Sequence, residues 1–192
     1  MNITSILFVG VGGDGIITVS NIVAQACMLA GFDVKKSEIH GMSQRGGSVS
    51  ASVRFGDKVY SPTDKKGSVQ FMFATEKVEL LRWIEYLNPA SKVIANDRIV
   101  PIVGQTIDED KINEMIESLS VDKLIKRRFS EDAKELGNPR LTNTIMLGVL
   151  SKFLPIDEKY FFEAIDDVLP EKLRTVNATA FSYGINLAKE YA

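Results

Sequence analysis

Residues 3–9 are a short apolar run rich in strand-forming side chains, and the run breaks at once into GVGGDG, Gly10 to Gly15. Ile16, Val19, Ile22, Val23, Ala26 and Cys27 then recur at helical spacing as far as residue 30, and Gly31 stands where a helix-ending glycine belongs. A third segment, residues 32–39, reads as a second strand. Strand, glycine turn, helix, strand is the order of a βαβ unit, and it commits the chain to a sheet with helices packed on it. The glycines fit a tight strand-to-helix turn, because they alone take left-handed backbone angles at no steric cost.

Further along, residues 48–55 alternate as a strand should, and Gly56-Asp57 is placed to turn a hairpin into residues 58–60. Residues 69–74 and 92–95 are short apolar strands. Between them residues 76–87 carry Val78, Leu81, Trp83 and Ile84 on a helix that Asn88-Pro89 stops. Residues 107–119 and the charged stretch 121–137 read as helical, wholly or in part. The last third is helical over 141–153, 157–169 and 171–191, punctuated by Pro155 and Pro170. At 192 residues and 45% hydrophobic content the chain is long enough for a real core, with no linker or repeat to divide it. The expectation is a single α/β domain over residues 1–192, Rossmann-like and three-layered, with a helical C-terminal part.

The glycine turn has three readings. Gly10, Gly12 and Gly15 fit G-x-G-x-x-G between a strand and a helix, where a helix N-terminus can hold a phosphate. A dinucleotide site also needs an acidic residue about 20 positions further on. That window holds Lys35, Lys36 and Ser37 before Glu38, a poor ribose ligand. Gly13-Asp14-Gly15 resembles the start of a thiamine diphosphate motif, but residues 38–47 lack the Asn that should share its magnesium ion. The third reading is a glycine corner that lets the helix pack tightly on the strand.

SEIHGMSQRGGSV, residues 37–49, is the more specific stretch. It gathers His40, Met42, Ser43, Gln44, Arg45, Gly46 and Gly47 on one loop after a strand. Arg45 suits a carboxylate or phosphate, Ser43 and Gln44 offer hydrogen bonds, and Met42 fills an apolar pocket. His40 has a pKa range suited to a general base, but no nucleophile motif accompanies it. In a sheet whose strand ends meet in one crevice, this loop approaches Gly10 to Gly15. The combination reads as a binding or docking loop.

Composition excludes several classes. One cysteine makes neither an internal disulfide nor an iron–sulfur or structural zinc site, and Cys27 lies on the apolar face of the first helix. Lys plus Arg is 23 against 25 Asp plus Glu, so no basic field draws nucleic acid. The run Lys123, Lys126, Arg127 and Arg128 reads as a solvated helical face beside Glu131 and Asp132. No apolar run is long enough for a membrane span, and the expected location is the cytoplasm.

GVGGDGIITVSNIVAQA together with SEIHGMSQRGGSVSASVRFG resembles the gamma module of the 2-oxoacid:ferredoxin oxidoreductases. The form EIHGMSQRGG points to the indolepyruvate branch, where the chain is similar to the small (beta) subunit. The resemblance continues through GNPRLTNTIMLGVL, LPIDEKYFFEAI and VNATAFSYG, nearly the whole chain. It implies a single gamma-type domain that holds no cofactor itself. A large partner subunit would carry thiamine diphosphate, magnesium and the iron–sulfur clusters, in a hetero-oligomer that makes aryl-acetyl-CoA and reduces ferredoxin. No catalytic residue or metal ligand is implied here; the glycine turn and the 40–47 loop would face the partner or the path of coenzyme A. One departure stands out: the family turn reads G-x-G-G-Q-G, and Asp14 replaces the Gln. A stand-alone nucleotide-binding protein is the alternative.

Overall fold

The computed structural model describes residues 3–41, 47–101 and 107–191. Its elements run β1 (Ile3–Val11), α1 (Ile16–Leu29), β2 (Asp33–His40), β3 (Ser48–Gly56), β4 (Phe71–Ala74), α2 (Lys77–Arg82), β5 (Lys92–Asn96), α3 (Glu109–Glu117), β6 (Lys123–Arg127), α4 (Phe129–Glu135), α5 (Thr142–Ser151), α6 (Glu158–Val168) and α7 (Glu171–Leu187). Short 3₁₀ turns follow α2 (Ile84–Tyr86), precede α5 (Pro139–Leu141) and end the chain (Ala188–Tyr191). The strands form one six-stranded sheet in the order β2-β3-β1-β4-β5-β6. Only β3 runs against its neighbours; β1, β4, β5 and β6 are parallel.

Alternation along the strands builds three layers. Ile6, Phe8, Ala51, Val53, Phe55, Phe73 and Ile94 face one side and pack under α1, α5, α6 and α7. Leu7, Val9, Met72, Ala74, Val93 and Ala95 face the other and meet Leu80 of α2 and Ile116 of α3. Fully buried phenylalanines such as Phe8, Phe73, Phe161 and Phe181 each contribute about 2–3 kcal/mol from burial. The expected α/β architecture with a helical C-terminal part is the one found.

Three local expectations are corrected. The βαβ unit is split: β2 runs parallel to β1, but β3 lies between them. Residues 58–60 do not form a returning strand. Long-range polar contacts outweigh the Gly56-Asp57 turn signal and fold residues 57–70 over the polar face of β1 and β3. Asp33 accepts from the Val59 N–H at 2.9 Å. Arg54 donates to the carbonyls of Ser61 and Thr63 at 2.7 and 2.9 Å. The buried Asp64 carboxylate accepts from Ser5 and Ser52 and lies 3.3 Å from Arg54 Nε. Removing one partner of a buried charged network leaves the others unpaired. Asp64→Ala is therefore expected to cost about 3 kcal/mol in denaturant unfolding, by the same principle, with Lys66→Ala on the same segment, exposed beside Glu85, nearly neutral.

The third correction is the basic run. Lys123–Arg127 is β6, an edge strand rather than a helical face, and the helix α4 starts only at Phe129. Ile125 is 2% exposed and supplies the apolar anchor; the flanking cations pair locally. Lys126 meets Glu117 at 2.7 Å, Arg127 meets Asp132 at 2.9 Å and Arg128 lies 3.9 Å from Asp97. Charged side chains on an edge strand also discourage pairing with a second sheet.

Candidate functional site

The C-terminal ends of β1, β4 and β5 meet the N-terminus of α1 in a cleft of about 540 Å³. Its far wall is the 3₁₀ turn before α5 with residues 138–144, and Leu169, Leu173 and Asn177 close its base. Gly13, Asp14 and Gly15 of the turn GVGGDG form the near wall, and the glycines of the turn meet different surroundings. Gly10 lies under Thr75, and a β-carbon there would overlap the Thr75 hydroxyl. Gly12 donates its N–H to the Gly47 carbonyl at 2.7 Å. Gly13 and Gly15 have φ of 100° and 80°, the left-handed region that disfavours other residues. The Asp14 N–H returns to the Val11 carbonyl at 3.0 Å and tightens the corner.

Asp14 is the hub. Its Oδ2 accepts from Thr75 Oγ1 at 2.9 Å and its Oδ1 from Arg98 Nη2 at 3.0 Å. Its backbone carbonyl accepts from Asn143 Nδ2 at 2.6 Å, tying the turn to the start of α5 across the cleft. Asp14 thus takes hydrogen bonds from the residues that follow two other strands, Thr75 after β4 and Arg98 after β5. The first turn of α1 has no side-chain cap and no acidic residue, so its leading N–H groups favour an anion in the cleft. Arg140 lines the opposite wall, exposed, with no carboxylate partner among the described residues.

The strand residues that flank the 40–47 loop lie beside this turn for a topological reason. Because β3 is antiparallel to β1, its first residue pairs with the last residue of β1, Ser48 with Val11. His40 ends β2 opposite Val49. Met42, Ser43, Gln44, Arg45 and Gly46 lie outside the described residues. Glu79, nearly buried, anchors the exit: it accepts from Ser48 Oγ at 2.5 Å and from Arg82 Nε at 3.2 Å.

Thr75, Arg98, Arg140 and Asn143 were not among the residues expected from the sequence. The only signal was the polar opening NPRLTN ahead of an apolar helix. Thr75 begins a triplet in which every residue fixes something. Glu76, buried, caps α2 through the Glu79 N–H at 2.7 Å and accepts from the Val100 N–H at 3.1 Å; burial pushes its pKa up. Lys77 carries a buried ammonium. Burial opposes its charge, but hydrogen bonds to Asp97 and Glu109 outweigh that and hold its pKa above the ordinary lysine value.

The dinucleotide reading meets a geometric obstacle. Glu38 is on β2, and β3 separates β2 from β1. That is two strand spacings, about 9–10 Å, rather than one. Cys27 is fully buried and burial pushes its thiol pKa up, so it is neither nucleophile nor ligand. Among the described residues no cluster of three or more His, Cys, Asp or Glu could hold a metal ion. No helix among them is long and apolar enough to cross a membrane.

Comparison with known proteins gives one answer. The family model for pyruvate ferredoxin/flavodoxin oxidoreductase matches residues 5–187. The chain is 37% identical to indolepyruvate oxidoreductase subunit IorB of Thermococcus kodakarensis, over 97% of this chain and 96% of that one. It is also 37% identical to the subunit of the same name from Archaeoglobus fulgidus, over 96% and 94%. The fold matches the gamma subunit of a keto/oxoacid ferredoxin oxidoreductase from Geobacter sulfurreducens with TM-score 0.75 and 18% identity, covering 97% and 99% of the two chains. It also matches 2-oxoglutarate:ferredoxin oxidoreductase from Magnetococcus marinus, a structure with 2-oxoglutarate, coenzyme A and succinyl-CoA bound, with TM-score 0.79 and 25% identity. There it covers 99% of this chain and 32% of the longer one. The chain belongs to the pyruvate ferredoxin/flavodoxin oxidoreductase family.

Proposed function

We propose that this chain is the small subunit of an indolepyruvate:ferredoxin oxidoreductase. The complex oxidatively decarboxylates aryl 2-oxoacids to acyl-CoA and reduces ferredoxin. The observation that carries the reading is the similarity to indolepyruvate oxidoreductase subunits over nearly the whole chain, with Gly47, the last residue of EIHGMSQRGG, accepting from Gly12 of the glycine turn. A single buried cysteine does not fit an iron–sulfur cluster, and the Asp14 carboxylate is taken up by Thr75 and Arg98 rather than open to magnesium. Thiamine diphosphate, magnesium and the clusters, which supply decarboxylation and electron transfer, therefore belong to a large partner subunit. The work assigned to this chain is to bind and orient. Arg98, Arg140 and the open N-terminus of α1 suit the phosphates of coenzyme A, and the apolar floor of Val19, Ile22 and Leu173 suits its less polar parts. A stand-alone nucleotide binder is disfavoured by the split βαβ unit and by the similarity, over nearly the whole chain, to indolepyruvate oxidoreductase subunits.

The test is anaerobic purification from the native cell through a tag on this chain. The expected result is a large, iron-rich, thiamine-bearing partner and indolepyruvate-dependent viologen reduction. A lone chain carrying a nucleotide and no iron would overturn the assignment. Within the active complex, Arg45→Ala is expected to lower activity about tenfold or more, the scale of a lost charged hydrogen bond. The melting temperature of the same variant should stay within a few degrees of wild type.

A further inference from the structure

We infer that Lys77 is a positioning residue that holds Arg98 in the cleft. The Lys77 side chain is 1% exposed. Its three ammonium protons have three acceptors: Asp97 Oδ1 at 2.7 Å, Glu109 Oε1 at 2.8 Å and Asn113 Oδ1 at 3.0 Å. The backbone of the same residue donates to the Arg98 carbonyl at 3.0 Å. Lys77 therefore grips both residues of the Asp97-Arg98 turn, one by its side chain and one by its main chain. Among the described residues, the only other backbone bond of Arg98 runs from its N–H to the Asn96 carbonyl at 2.8 Å, a contact within its own turn. Its guanidinium reaches Asp14 from there.

The arrangement is more than a generic buried ion pair. A hydrophobic residue of similar length at position 77 would satisfy the packing under α3. It would not fix the Asp97 carboxylate, and the turn would be left with its main-chain bonds, from the Asp97 N–H to the Arg127 carbonyl at 2.8 Å and from the residue-77 N–H to the Arg98 carbonyl at 3.0 Å. A guanidinium that binds an anion must be held within about 0.5 Å of its productive place. The inference rests on the reading that the cleft serves coenzyme A in the complex.

The test uses the assembled complex and steady-state kinetics with coenzyme A and indolepyruvate varied separately. Arg98→Ala should raise KM for coenzyme A about tenfold and leave KM for indolepyruvate within twofold. Lys77→Met should raise KM for coenzyme A about fivefold, with kcat within twofold. The double variant should be no worse than Arg98→Ala alone, because Lys77 acts through Arg98. If Lys77→Met prevents assembly, Asp97→Asn is the second probe, with the same selective rise and the same lack of additivity expected. A multiplicative double variant, a uniform fall in kcat for both substrates, or no change in any KM would overturn the inference. If Arg98→Ala itself leaves KM for coenzyme A unchanged, the coenzyme A reading of the cleft falls and the inference with it. If Arg98→Ala shifts that KM while Lys77→Met and Asp97→Asn do not, only the role of Lys77 is overturned.

Discussion

Gly184→Ala should lower the stability of this chain by about 3 kcal/mol, although an alanine in a helix interior ordinarily gains about 1 kcal/mol over glycine. The sign is decided by contact between α5 and α7. A β-carbon on Gly184 would overlap the Ile145 carbonyl and stand 3.0 Å from the Gly148 Cα. One on Gly148 would overlap the Phe181 carbonyl and stand 2.8 Å from the Gly184 Cα. The obstacles are backbone atoms, which cannot rotate away, so the two helices would have to part. Parting them opens voids around Ile145 and Phe181, both fully buried. For a chain of this size the loss corresponds to a fall of about 10 °C in melting temperature. Thr179→Ala, exposed on the same helix, is the control and should stay within about 0.5 kcal/mol. A Gly184→Ala variant as stable as wild type would mean that the helices do not cross at these glycines.

The parts of this fold that were legible in the sequence are those where one face of an element is apolar throughout. β1 shows it, with Ile6 and Phe8 fully buried on one face, and so does α1, with Val23, Ala26 and Cys27 fully buried. β6 was illegible because it buries so little of itself. Three of its five residues are cations, and Leu124 and Ile125 alone face the two cores, so its period of two is nearly hidden. The hairpin after Gly56 failed for the opposite reason. Its local signal was sound, but Asp33, Arg54 and Asp64 bind the following segment from other parts of the sheet. The insertion of β3 between β1 and β2 is likewise a matter of pairing, which the pattern within each strand does not encode.

The site divides along the same line. Gly10 to Gly15 and the 40–47 loop stood out because glycine clusters mark backbone geometry directly. The partners of Asp14 did not, because Thr75, Arg98 and Asn143 lie 61, 84 and 129 residues away. An isolated threonine, arginine or asparagine carries no signal of its own. Only the fold brings them to one residue, Thr75 and Arg98 to the Asp14 carboxylate and Asn143 to its backbone carbonyl. A carboxylate accepts from both Thr75 and Arg98 and leaves the Arg98 guanidinium oriented.

Gly10→Ala is the second large effect expected, and it should divide differently between stability and activity. The Thr75 hydroxyl passes directly over Gly10 on its way to Asp14. An alanine β-carbon would overlap that hydroxyl and stand 2.9 Å from Ile16 Cδ1. The backbone of β1 is locked in register between β3 and β4, so the side chains must yield. Thr75 can rotate away at the expense of its bond to Asp14, a charged hydrogen bond worth about 2 kcal/mol. The stability loss should therefore be about 2 kcal/mol. Activity of the complex should fall at least tenfold, because Asp14 loses one of the two groups that orient it and its hold on Arg98 loosens. The double variant Gly10→Ala/Thr75→Ala separates the causes. With the hydroxyl gone the new methyl has space, so the double variant should be about as stable as Thr75→Ala alone, a large departure from additivity. If the two losses simply add, the clash lies elsewhere, and the first glycine of the turn is there for Ile16 and the packing of α1 rather than for Asp14.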